Sequence, residues 1–240
     1  MDLSVVVPTY NEELRIGRSL ETITRYLKSS KIRKWEIIVV DDGSEDRTSD
    51  IVEGWQSKDR RIRIVRNESN KGKGYAVRRG ILDAMYPLVL FSDADLATPI
   101  SELEKFAAYI SSGYDIVIAS RNIDGARIEV MQPFYRQFLG KGFPLLVELV
   151  TGMGFKDTQC GFKLFRAAVA KQIVMLQRIN GYCFDVELLW IARKRGYRIK
   201  EAPVVWIDQV GSKVNPLRDA LNMLTELMEI RLNDLSRKYS

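Results

Sequence analysis

The chain has 240 residues, of which 46% are apolar and 28% charged, and its net charge is +6. These values are typical of a globular protein and exclude disordered, collagen-like and low-complexity chains. The sequence contains no histidine, which excludes histidine-based catalytic triads, histidine-ligated zinc sites and histidine general bases. The positive charge favours an anionic partner, such as a phosphate compound, a nucleic acid or an acidic membrane surface.

Two further features bear on the cellular environment. Cys160 and Cys183 form no CxxC pair, which favours a reducing cytosolic compartment over a disulfide framework. No stretch approaches the roughly 18 apolar residues of a membrane span, and the first residues do not resemble a signal peptide. We therefore expect a cytoplasmic protein, with peripheral contact to the cytoplasmic face of a membrane left open.

The first half of the chain alternates short apolar strands with helical segments. The predicted strands are residues 3–7, 36–40, 62–65, 88–92 and 115–119. The predicted helices between them are residues 12–28, 48–58, 72–84 and 101–111. Several strands are nearly continuous apolar runs, as in strands buried on both faces of a parallel sheet. The alternation predicts an α/β fold with a Rossmann-like, doubly wound and mostly parallel sheet.

The second half is less regular. The predicted elements are a broken amphipathic helix, a buried helix, a strand and one long helix, at residues 130–151, 184–195, 198–206 and 216–237. We find no internal repeat and no linker rich in Gly, Ser or Pro. The predicted organisation is one domain over residues 1–215, with a C-terminal amphipathic helical appendage over 216–240 that packs on the domain or on a membrane.

Acidic residues follow three of the predicted strands. Glu12 lies just beyond the first strand, Asp41 and Asp42 follow the second, and Asp93 and Asp95 follow the fourth. Ligands of a doubly wound sheet bind at the carboxyl ends of its strands, so we expect these carboxylates to gather in one crevice. Clustered carboxylates require a compensating cation or a hydrogen-bonding ligand, and the last two suit a divalent ion that also binds a diphosphate. Each aspartate alone also suits a helix cap or a turn.

A glycine-rich loop, Asn70-Lys71-Gly72-Lys73-Gly74, follows the third predicted strand and opens a helix. Glycine permits close approach of the backbone to a ligand, and a helix N-terminus favours anions. The loop lacks the spacing of a Walker A motif and the Ser or Thr after its lysine. On its own it predicts either a turn or a phosphate site.

Several motifs together resemble the family 2 glycosyltransferases, which have the GT-A fold. In the first half they are VVVPTYNEE, VVDDGSEDRT, NKGKGYAVRRG and the DAD after a hydrophobic strand. In the second half they are DTQCGFKLF, FDVELL and VGSK, which resemble the dolichyl-phosphate β-glucosyltransferases and, more broadly, the polyprenyl-phosphate hexose synthases. The resemblance extends to about Arg237, and DTQCGFKLF is its most specific part.

The resemblance implies a donor site. Asp93 and Asp95 would hold Mg²⁺ or Mn²⁺ on the donor diphosphate, and Lys73 and Lys213 would lie near the donor phosphates. The nucleoside would be held by Pro8, Tyr10, Glu12 and Asp42, with Asp41 in support. Ala94 completes the set of donor-binding residues.

The resemblance also implies an acceptor site and a catalytic carboxylate. The acceptor phosphate would meet cations drawn from Arg121, Arg127, Arg136 and Lys163. Arginine suits this role because its planar fork matches phosphate oxygens. The carboxylate candidates are Asp157, Asp185 and Glu187. A phosphate monoester has a second pKa of about 6 and needs no strong base, so Asp185 would either orient groups or act as a base. Asp185 and Glu187 also suit a buried pair tied to Arg or Lys.

The implied reaction is metal-dependent, inverting transfer of a hexose, glucose from UDP-glucose, to a dolichyl or polyprenyl phosphate. Ala97 stands where some dolichyl-phosphate mannose synthases carry Gln, which disfavours mannose transfer from GDP-mannose. Three more functions stay open: transfer to a sugar hydroxyl of a glycan or polysaccharide, a sugar-1-phosphate nucleotidylyltransferase, and an inactive protein that binds nucleotide sugars or nucleic acid. The leading interpretation involves no nucleic acid and leaves a homo-oligomer open.

A polyprenyl acceptor implies contact with a membrane surface. Residues 130–150 combine apolar side chains with neighbouring cations, as an interfacial segment requires. The apolar candidates are Phe134, Tyr135, Phe138, Leu139, Phe143, Leu145 and Leu146. The same side chains also suit the core or a dimer contact, and the apolar C-terminal helix is the second candidate for the membrane contact.

Overall fold

The computed structural model describes residues 1–129, 134–208 and 216–239. In the helix that begins at Phe134, side chains are described from residue 142 onward. In the helix that begins at Pro216, they are described from residue 221 onward. The strands are β1 (Asp2–Thr9), β2 (Lys34–Asp41), β3 (Ile62–Arg66), β4 (Leu88–Ser92), β5 (Ile116–Ser120), β6 (Arg127–Ile128), β7 (Phe162–Arg166), β8 (Ile199–Pro203) and β9 (Val205–Trp206). The α-helices are α1 (Ile16–Ser29), α2 (Thr48–Lys58), α3 (Lys73–Asp83), α4 (Leu103–Ser111), α5 (Phe134–Thr151), α6 (Ala167–Leu176), α7 (Phe184–Lys194) and α8 (Pro216–Leu235).

The central sheet has the strand order β3-β2-β1-β4-β7-β5-β8. Its strands are parallel except β7, which runs antiparallel to both of its neighbours, β4 and β5. Adjacent residues of a strand face opposite sides of a sheet, and Val5 and Val6 of β1 accordingly belong to two separate hydrophobic clusters. Helices cover both clusters, so the predicted α/β architecture is confirmed.

The five predicted strands of the first half are all present. The sequence prediction missed β7 and α6 in the second half. The residues of β7, FKLFR, are buried nearly throughout, but they include the charged Lys163 and Arg166. These two charges interrupt the apolar pattern by which a buried strand is predicted. The single strand predicted over 198–206 is two strands, because β8 pairs with β5 whereas β9 pairs with β6 in a separate two-stranded sheet.

Helices α5 and α8 contact each other next to the central domain. The predicted broken helix is one helix, α5, with Pro144 inside it. It buries Val147 in the same hydrophobic cluster that receives Leu227 and Ile230 of α8. The C-terminal helix therefore packs on the domain through one face. Among the described residues, no helix combines the length and apolarity that crossing a bilayer requires.

Candidate active site

One edge of the central sheet gathers the polar residues that the sequence singled out. The carboxyl ends of β1, β2, β4 and β5 lie at this edge because these strands are parallel. The antiparallel β7 begins at the same edge, which brings the residues that precede it, 157–161, beside the ends of β4 and β5. The reversed strand is therefore what joins the DTQCG segment to the strand-end carboxylates.

Asp93, at the end of β4, is held between a glycine and a lysine. Its backbone N–H donates a hydrogen bond to the carbonyl oxygen of Gly161 at 2.9 Å. A Cβ on Gly161 would lie 1.9 Å from Asp93 Oδ2, so any larger residue there would displace the carboxylate. The other carboxylate oxygen, Oδ1, lies 2.6 Å from Lys73 Nζ. Burial lowers the pKa of Lys73, but the nearby carboxylates outweigh it and hold the pKa above its usual value, so the ammonium is charged.

Asp95 lies two residues further along the same turn. Its Oδ1 accepts a hydrogen bond from the backbone N–H of Ala97 at 3.0 Å. Burial raises the pKa of Asp95, and the charge of Asp93 raises it further. Ala94, between the two aspartates, is buried, and its carbonyl oxygen accepts a hydrogen bond from Ser19 Oγ at 2.5 Å. The turn thus presents two carboxylates of which one has no cationic partner at hydrogen-bond distance among the described residues.

The Asp42 carboxylate organises the glycine-rich loop. It accepts hydrogen bonds from the backbone N–H groups of Lys71 at 3.0 Å and Gly72 at 2.8 Å, and from Asn67 Nδ2 at 2.6 Å. Both of its oxygens are engaged and the side chain is buried. The sequence interpretation gave Asp42 to the nucleoside. In the structure its contacts are to the loop that carries Lys73, and a nucleoside contact stays a prediction.

A cavity of about 470 Å³ lies beside the ends of β1 and β2 and is lined in part by Tyr10, Asp41 and Asn70. Asp41 is buried and accepts hydrogen bonds from the backbone N–H of Ser44, at 3.2 Å, and from the Ser49 hydroxyl. Tyr10 is partly exposed at the mouth of this space. An aromatic face beside a polar cavity suits a nucleoside.

Two other predicted donor residues lie near this cavity with structural contacts of their own. Pro8 is buried within β1, opposite Val40 of β2. The Glu12 backbone N–H donates to Thr48 Oγ1 at 2.7 Å, and its carboxylate lies 3.5 Å from Arg15 Nε. Pro8 is thus part of the sheet, and Glu12 connects the segment after β1 to the first residue of α2.

Lys163 and Asp185 form a buried ion pair behind the two strand-end aspartates. Lys163 Nζ lies 2.5 Å from Asp185 Oδ1 and donates a second hydrogen bond to the carbonyl oxygen of Cys160 at 2.8 Å. The Lys163 side chain is 0% exposed, so the structure does not support its predicted direct contact with an acceptor phosphate. Burial raises the pKa of Asp185 more than Lys163 and Lys73 lower it. This ion pair fixes both buried side chains in the interior of the site.

Arg121 and Asp157 form a second fixed pair at the end of β5. Arg121 Nε and Nη2 donate to the two carboxylate oxygens at 2.7 and 3.0 Å, and the Arg121 backbone N–H donates at 3.0 Å. Asp157 is buried, which would raise the pKa of its carboxyl, but the Arg121 charge and hydrogen bonds hold that pKa below its usual value. Arg121 remains 28% exposed. Within the described residues Nη1 makes no hydrogen bond that would prevent it from meeting a ligand.

The remaining predicted residues lie elsewhere or beyond the described part of the chain. Glu187 is fully buried, where it accepts hydrogen bonds from the backbone N–H of Ile179 at 2.8 Å and from the Tyr239 hydroxyl at 2.6 Å. These contacts give Glu187 a structural role, and a catalytic role stays a prediction. Arg127 is exposed on β6. The side chain of Arg136 and the whole of Lys213 lie outside the described residues.

Around Asp93 and Asp95 the described residues form three ion pairs, which are Lys73 with Asp93, Lys163 with Asp185 and Arg121 with Asp157. Asp95 has no ion-pair partner at hydrogen-bond distance among the same residues. Two neighbouring carboxylates, one of them without such a partner, are hard oxygen ligands of the kind that Mg²⁺ or Mn²⁺ takes. No group of three or more metal-ligating side chains is found among the described residues. The protein would thus supply Asp93 and Asp95, and a bound diphosphate and water would complete the coordination shell.

Sequence reasoning missed two backbone features that shape the site. One is the close approach of Gly161 to Asp93 described above, for which the glycine inside the DTQCGFKLF motif was an available signal. The other is the Asn180 carbonyl, which accepts a hydrogen bond from the Gly74 N–H at 2.7 Å and leaves no room for a side chain at Gly72. No sequence pattern indicates this contact, because Gly74 and Asn180 lie more than a hundred residues apart in the chain.

Comparison with known proteins agrees with this geometry. Residues 4–174 match the family model for glycosyl transferase family 2. The dolichyl-phosphate β-glucosyltransferases of Dictyostelium discoideum and Homo sapiens are 36% and 35% identical to the chain. The first alignment covers 97% of this chain and 75% of the relative, and the second covers 98% and 76%. The Saccharomyces cerevisiae enzyme of the same name is 36% identical over 96% of the chain and 74% of its own length.

Solved structures share the fold at lower identity. Glucosyl-3-phosphoglycerate synthase from Mycobacterium tuberculosis, in complex with Mn²⁺, UDP-glucose and glycerol 3-phosphate, superposes with a TM-score of 0.70 at 17% identity, over 95% of this chain and 79% of that one. S. aureus TarS in complex with UDP-GlcNAc gives a TM-score of 0.61 at 22% identity, over 97% and 67%. The alignments with the dolichyl-phosphate β-glucosyltransferases span nearly the whole chain, and the strand-end carboxylates and the reversed β7 agree with them. The chain therefore belongs to glycosyltransferase family 2 and is a glycosyltransferase.

Proposed function

We propose that this enzyme transfers glucose from UDP-glucose to a dolichyl or related polyprenyl phosphate, with a divalent ion and with inversion at the anomeric carbon. The names of the relatives support the sugar, the acceptor and a β-linked product. UDP-glucose is an α-glycoside, so a β-linked product requires inversion. The complex of a structural neighbour with Mn²⁺ and UDP-glucose supports the donor and the metal.

None of the three carboxylates that were candidates for a catalytic base is available as one, and this observation carries the proposal. Asp157 is ion-paired with Arg121 and Asp185 with Lys163. Glu187 is fully buried and accepts a hydrogen bond from Tyr239. Transfer to a sugar hydroxyl needs a base within hydrogen-bond reach of the acceptor proton. A phosphate acceptor is largely dianionic at neutral pH, because its second pKa is about 6, and needs no such base. This arrangement favours a phosphate acceptor over a hydroxyl acceptor.

On the donor side, Asp93 and Asp95 would hold the metal, and Lys73, at the N-terminus of α3, would lie near the diphosphate. A divalent ion at this position would supply positive charge to the departing diphosphate. Lys73 adds a second positive charge to the same leaving group, and Asp42 fixes the loop from which it extends. The cavity beside Tyr10 and Asp41 would hold the nucleoside.

On the acceptor side, Arg121 binds the lipid phosphate while Asp157 keeps its guanidinium in place. A phosphate oxygen attacks the anomeric carbon from the face opposite the diphosphate. The new carbon–oxygen bond forms as the bond between the anomeric carbon and the β-phosphate oxygen breaks, and UDP leaves with the bonding electrons. No proton moves in this step, so Asp185 orients groups through Lys163 and removes no proton.

The apolar tail of a polyprenyl acceptor requires contact with a membrane. Exposed apolar side chains on α5 and α8 support a membrane contact at these two helices. Leu145 and Leu149 of α5 are 72% and 83% exposed. On α8 the exposed apolar side chains are Leu221, Leu224, Met228, Leu232 and Leu235. Apolar side chains in such numbers on adjacent helices are typical of an interfacial surface. The proposal includes the cytoplasmic face of the membrane, which the two free, buried cysteines support.

A transfer assay with a panel of substrates tests this function. Labelled UDP-glucose, GDP-mannose and UDP-GlcNAc are each offered with a short polyprenyl phosphate, and separately with a glucose disaccharide as a hydroxyl acceptor. We expect product from UDP-glucose and the polyprenyl phosphate, loss of that product in EDTA, and a β configuration by NMR. Product on the disaccharide without product on the phosphate would overturn the proposed acceptor.

A further inference from the structure

The position of Lys73 in the donor site is unusual because a protein cation occupies the carboxylate that would bind the metal. The backbone on both sides of Lys73 is tied down. Asp42 accepts hydrogen bonds from the Lys71 and Gly72 N–H groups, and the Asn180 carbonyl accepts one from Gly74 at 2.7 Å. The loop is therefore fixed, and its lysine side chain is the part with freedom to move.

The carboxylate that Lys73 reaches is also fixed. Asp93 lies against Gly161, where its N–H donates to the glycine carbonyl and its Oδ2 occupies the space of the missing Cβ. Rearrangement of this ion pair consequently requires movement of the Lys73 side chain rather than of Asp93. The ammonium also lies 5.5 Å from the centre of the Phe91 ring, so a cation–π contact accompanies the ion pair.

The three ion pairs of the site differ in how readily they can exchange partners. Lys163 is 0% exposed and donates to a second acceptor, while Arg121 binds Asp157 through three N–H groups. The Lys73–Asp93 contact is a single one, with the two side chains 28% and 29% exposed. The contacting oxygen, Asp93 Oδ1, is itself buried, so this pair differs from the other two in its single contact rather than in its access to solvent. It is the exchangeable pair of the site.

A divalent ion that arrives alone finds a poor site. With Lys73 in place, Asp93 and Asp95 together with the ammonium carry one net negative charge, and the described residues offer no third carboxylate ligand. A diphosphate changes both conditions, because its oxygens complete the shell of a hard cation and give the ammonium a new anionic partner.

We propose that Lys73 occupies Asp93 in the nucleotide-free enzyme as a tethered substitute for the metal, and that it exchanges Asp93 for the donor diphosphate when the metal–nucleotide complex binds. This inference rests on the metal and the nucleotide of the proposed function, and it is independent of the acceptor. Metal and nucleotide binding are coupled by the exchange, and such coupling is reciprocal: UDP tightens Mn²⁺ binding by the same factor as Mn²⁺ tightens UDP binding.

Mn²⁺ binding to the full chain, followed by the loss of the free Mn²⁺ signal in electron paramagnetic resonance, tests the exchange with and without UDP. Lys73→Met keeps the apolar stem and removes the charge. Without UDP, we expect this variant to bind Mn²⁺ at least about tenfold more tightly than the parent, the scale of removing one competing charge near a partly exposed site. The tightening of Mn²⁺ binding by UDP should fall by about the same factor.

Lys71→Met is the matched control, because it removes the same charge from the same loop. Lys71 is exposed, and its ammonium lies 5.1 Å from the centre of the Tyr75 ring, away from the carboxylates. We expect this variant to bind Mn²⁺ like the parent. An equal gain in both methionine variants would assign the effect to general electrostatics and overturn the exchange, as would unchanged or weaker Mn²⁺ binding by Lys73→Met.

If Lys73→Met fails to fold, Lys73→Arg tests the exchange. The arginine fork retains the charge and matches a carboxylate with two N–H groups, so it should compete more strongly for Asp93, and Mn²⁺ binding in the presence of UDP should weaken severalfold. Mn²⁺ binding as tight as that of the parent would count against the exchange. Absence of Mn²⁺ binding by the parent even with UDP would overturn both the metal and this inference. Intact coupling without transfer to a polyprenyl phosphate would overturn only the proposed acceptor.

Discussion

The donor and acceptor sides of the site both use a cation paired with an aspartate, but the two pairs are built differently. On the donor side, Lys73 touches Asp93 through one contact, and both side chains are more than a quarter exposed. On the acceptor side, Arg121 makes three hydrogen bonds to Asp157, which is 1% exposed. The first pair can exchange partners, whereas the second holds a guanidinium in one orientation.

This difference agrees with what each side would bind in the proposed function. The donor side would receive a diphosphate together with a cation, so its own cation would have to give way. The acceptor side would receive a phosphate without a metal, which suits a guanidinium whose charge and direction do not change. The buried carboxylate behind Arg121 supplies that fixation, and its ion pair with Arg121, which lowers its pKa, makes it a poor proton acceptor.

The largest effect is expected from the donor side, at Asp95. Asp95→Asn keeps the shape of the side chain and removes a carboxylate charge that no lysine or arginine of the described residues contacts at hydrogen-bond distance. We expect the rate of transfer to fall by at least roughly a hundredfold, the scale of removing one transition-state stabiliser. Steady-state kinetics with saturating UDP-glucose and Mn²⁺ measure the loss. Asp124→Asn, in an exposed loop, is the control, and full activity of the parent in EDTA would contradict a role in metal binding.

The next largest effect is expected on the acceptor side, at Asp157. Asp157→Asn leaves Arg121 without its counter-charge, and breaking a buried pair costs about 3 kcal/mol or more in free energy of unfolding. The remaining amide holds the guanidinium poorly, so the KM for the polyprenyl phosphate should rise roughly tenfold, equivalent to about 1.4 kcal/mol. Urea unfolding and acceptor kinetics measure the two effects. A rise in the KM for UDP-glucose of equal size would contradict the division between the two sides.

The pH dependence of stability gives a further test of the same pair. Because the pKa of Asp157 is depressed in the folded protein, its stabilising contribution is fully present above the ordinary carboxyl pKa of about 4. It is lost as the pH falls through the depressed value. The stability difference between the parent and Asp157→Asn should therefore be large at pH 7 and shrink at strongly acid pH. A difference independent of pH would show that lost packing, rather than lost charge, destabilises the variant.

A smaller effect is expected at Arg121 itself. Arg121→Lys keeps the charge and replaces a planar fork with a point charge. The KM for the polyprenyl phosphate should rise severalfold while the affinity for UDP, measured by calorimetry, stays near that of the parent. Arg60→Lys, at an exposed position between α2 and β3, makes the same change at a residue that was not a candidate for the acceptor site, and it is the control. Equal weakening of donor and acceptor binding by Arg121→Lys would assign this arginine to the donor.

The donor side was predictable from the sequence to a greater extent than the acceptor side. Apolar runs followed by acidic residues predicted β1, β2 and β4 and the carboxylates that come after each strand. This was possible because a buried parallel strand and the ligand-binding residues at its carboxyl end are neighbours in the sequence. The antiparallel β7 was not predicted, since Lys163 interrupts its apolar pattern. The pairing of Arg121 with Asp157 depends on that strand, because it brings together residues that lie 36 positions apart in the chain.

The structure also changes which side chains test the membrane contact. Phe143 and Leu146 of α5, both candidates from the sequence, pack against the hydrophobic core, so replacing either would destabilise the domain. Leu145 and Leu149 lie on the exposed side of the same helix. Their replacement by serine removes apolar surface without opening a cavity in the core.

The smallest effect on turnover is expected from the double variant Leu145→Ser/Leu149→Ser, and it should be confined to the acceptor. Each leucine contributes up to about 1.5 kcal/mol if it is buried in the interface, so flotation with liposomes should weaken clearly and turnover of a membrane-bound acceptor should fall severalfold. Turnover of a short, water-soluble polyprenyl phosphate and the affinity for UDP should not change. Leu82→Ser, at an exposed position of α3, is the matched control for the loss of a surface leucine. If the double variant floats as well as the parent, α5 does not form the membrane contact, and the exposed leucines of α8 become the surface to test; if it loses donor affinity as well, the separation of the two sides fails.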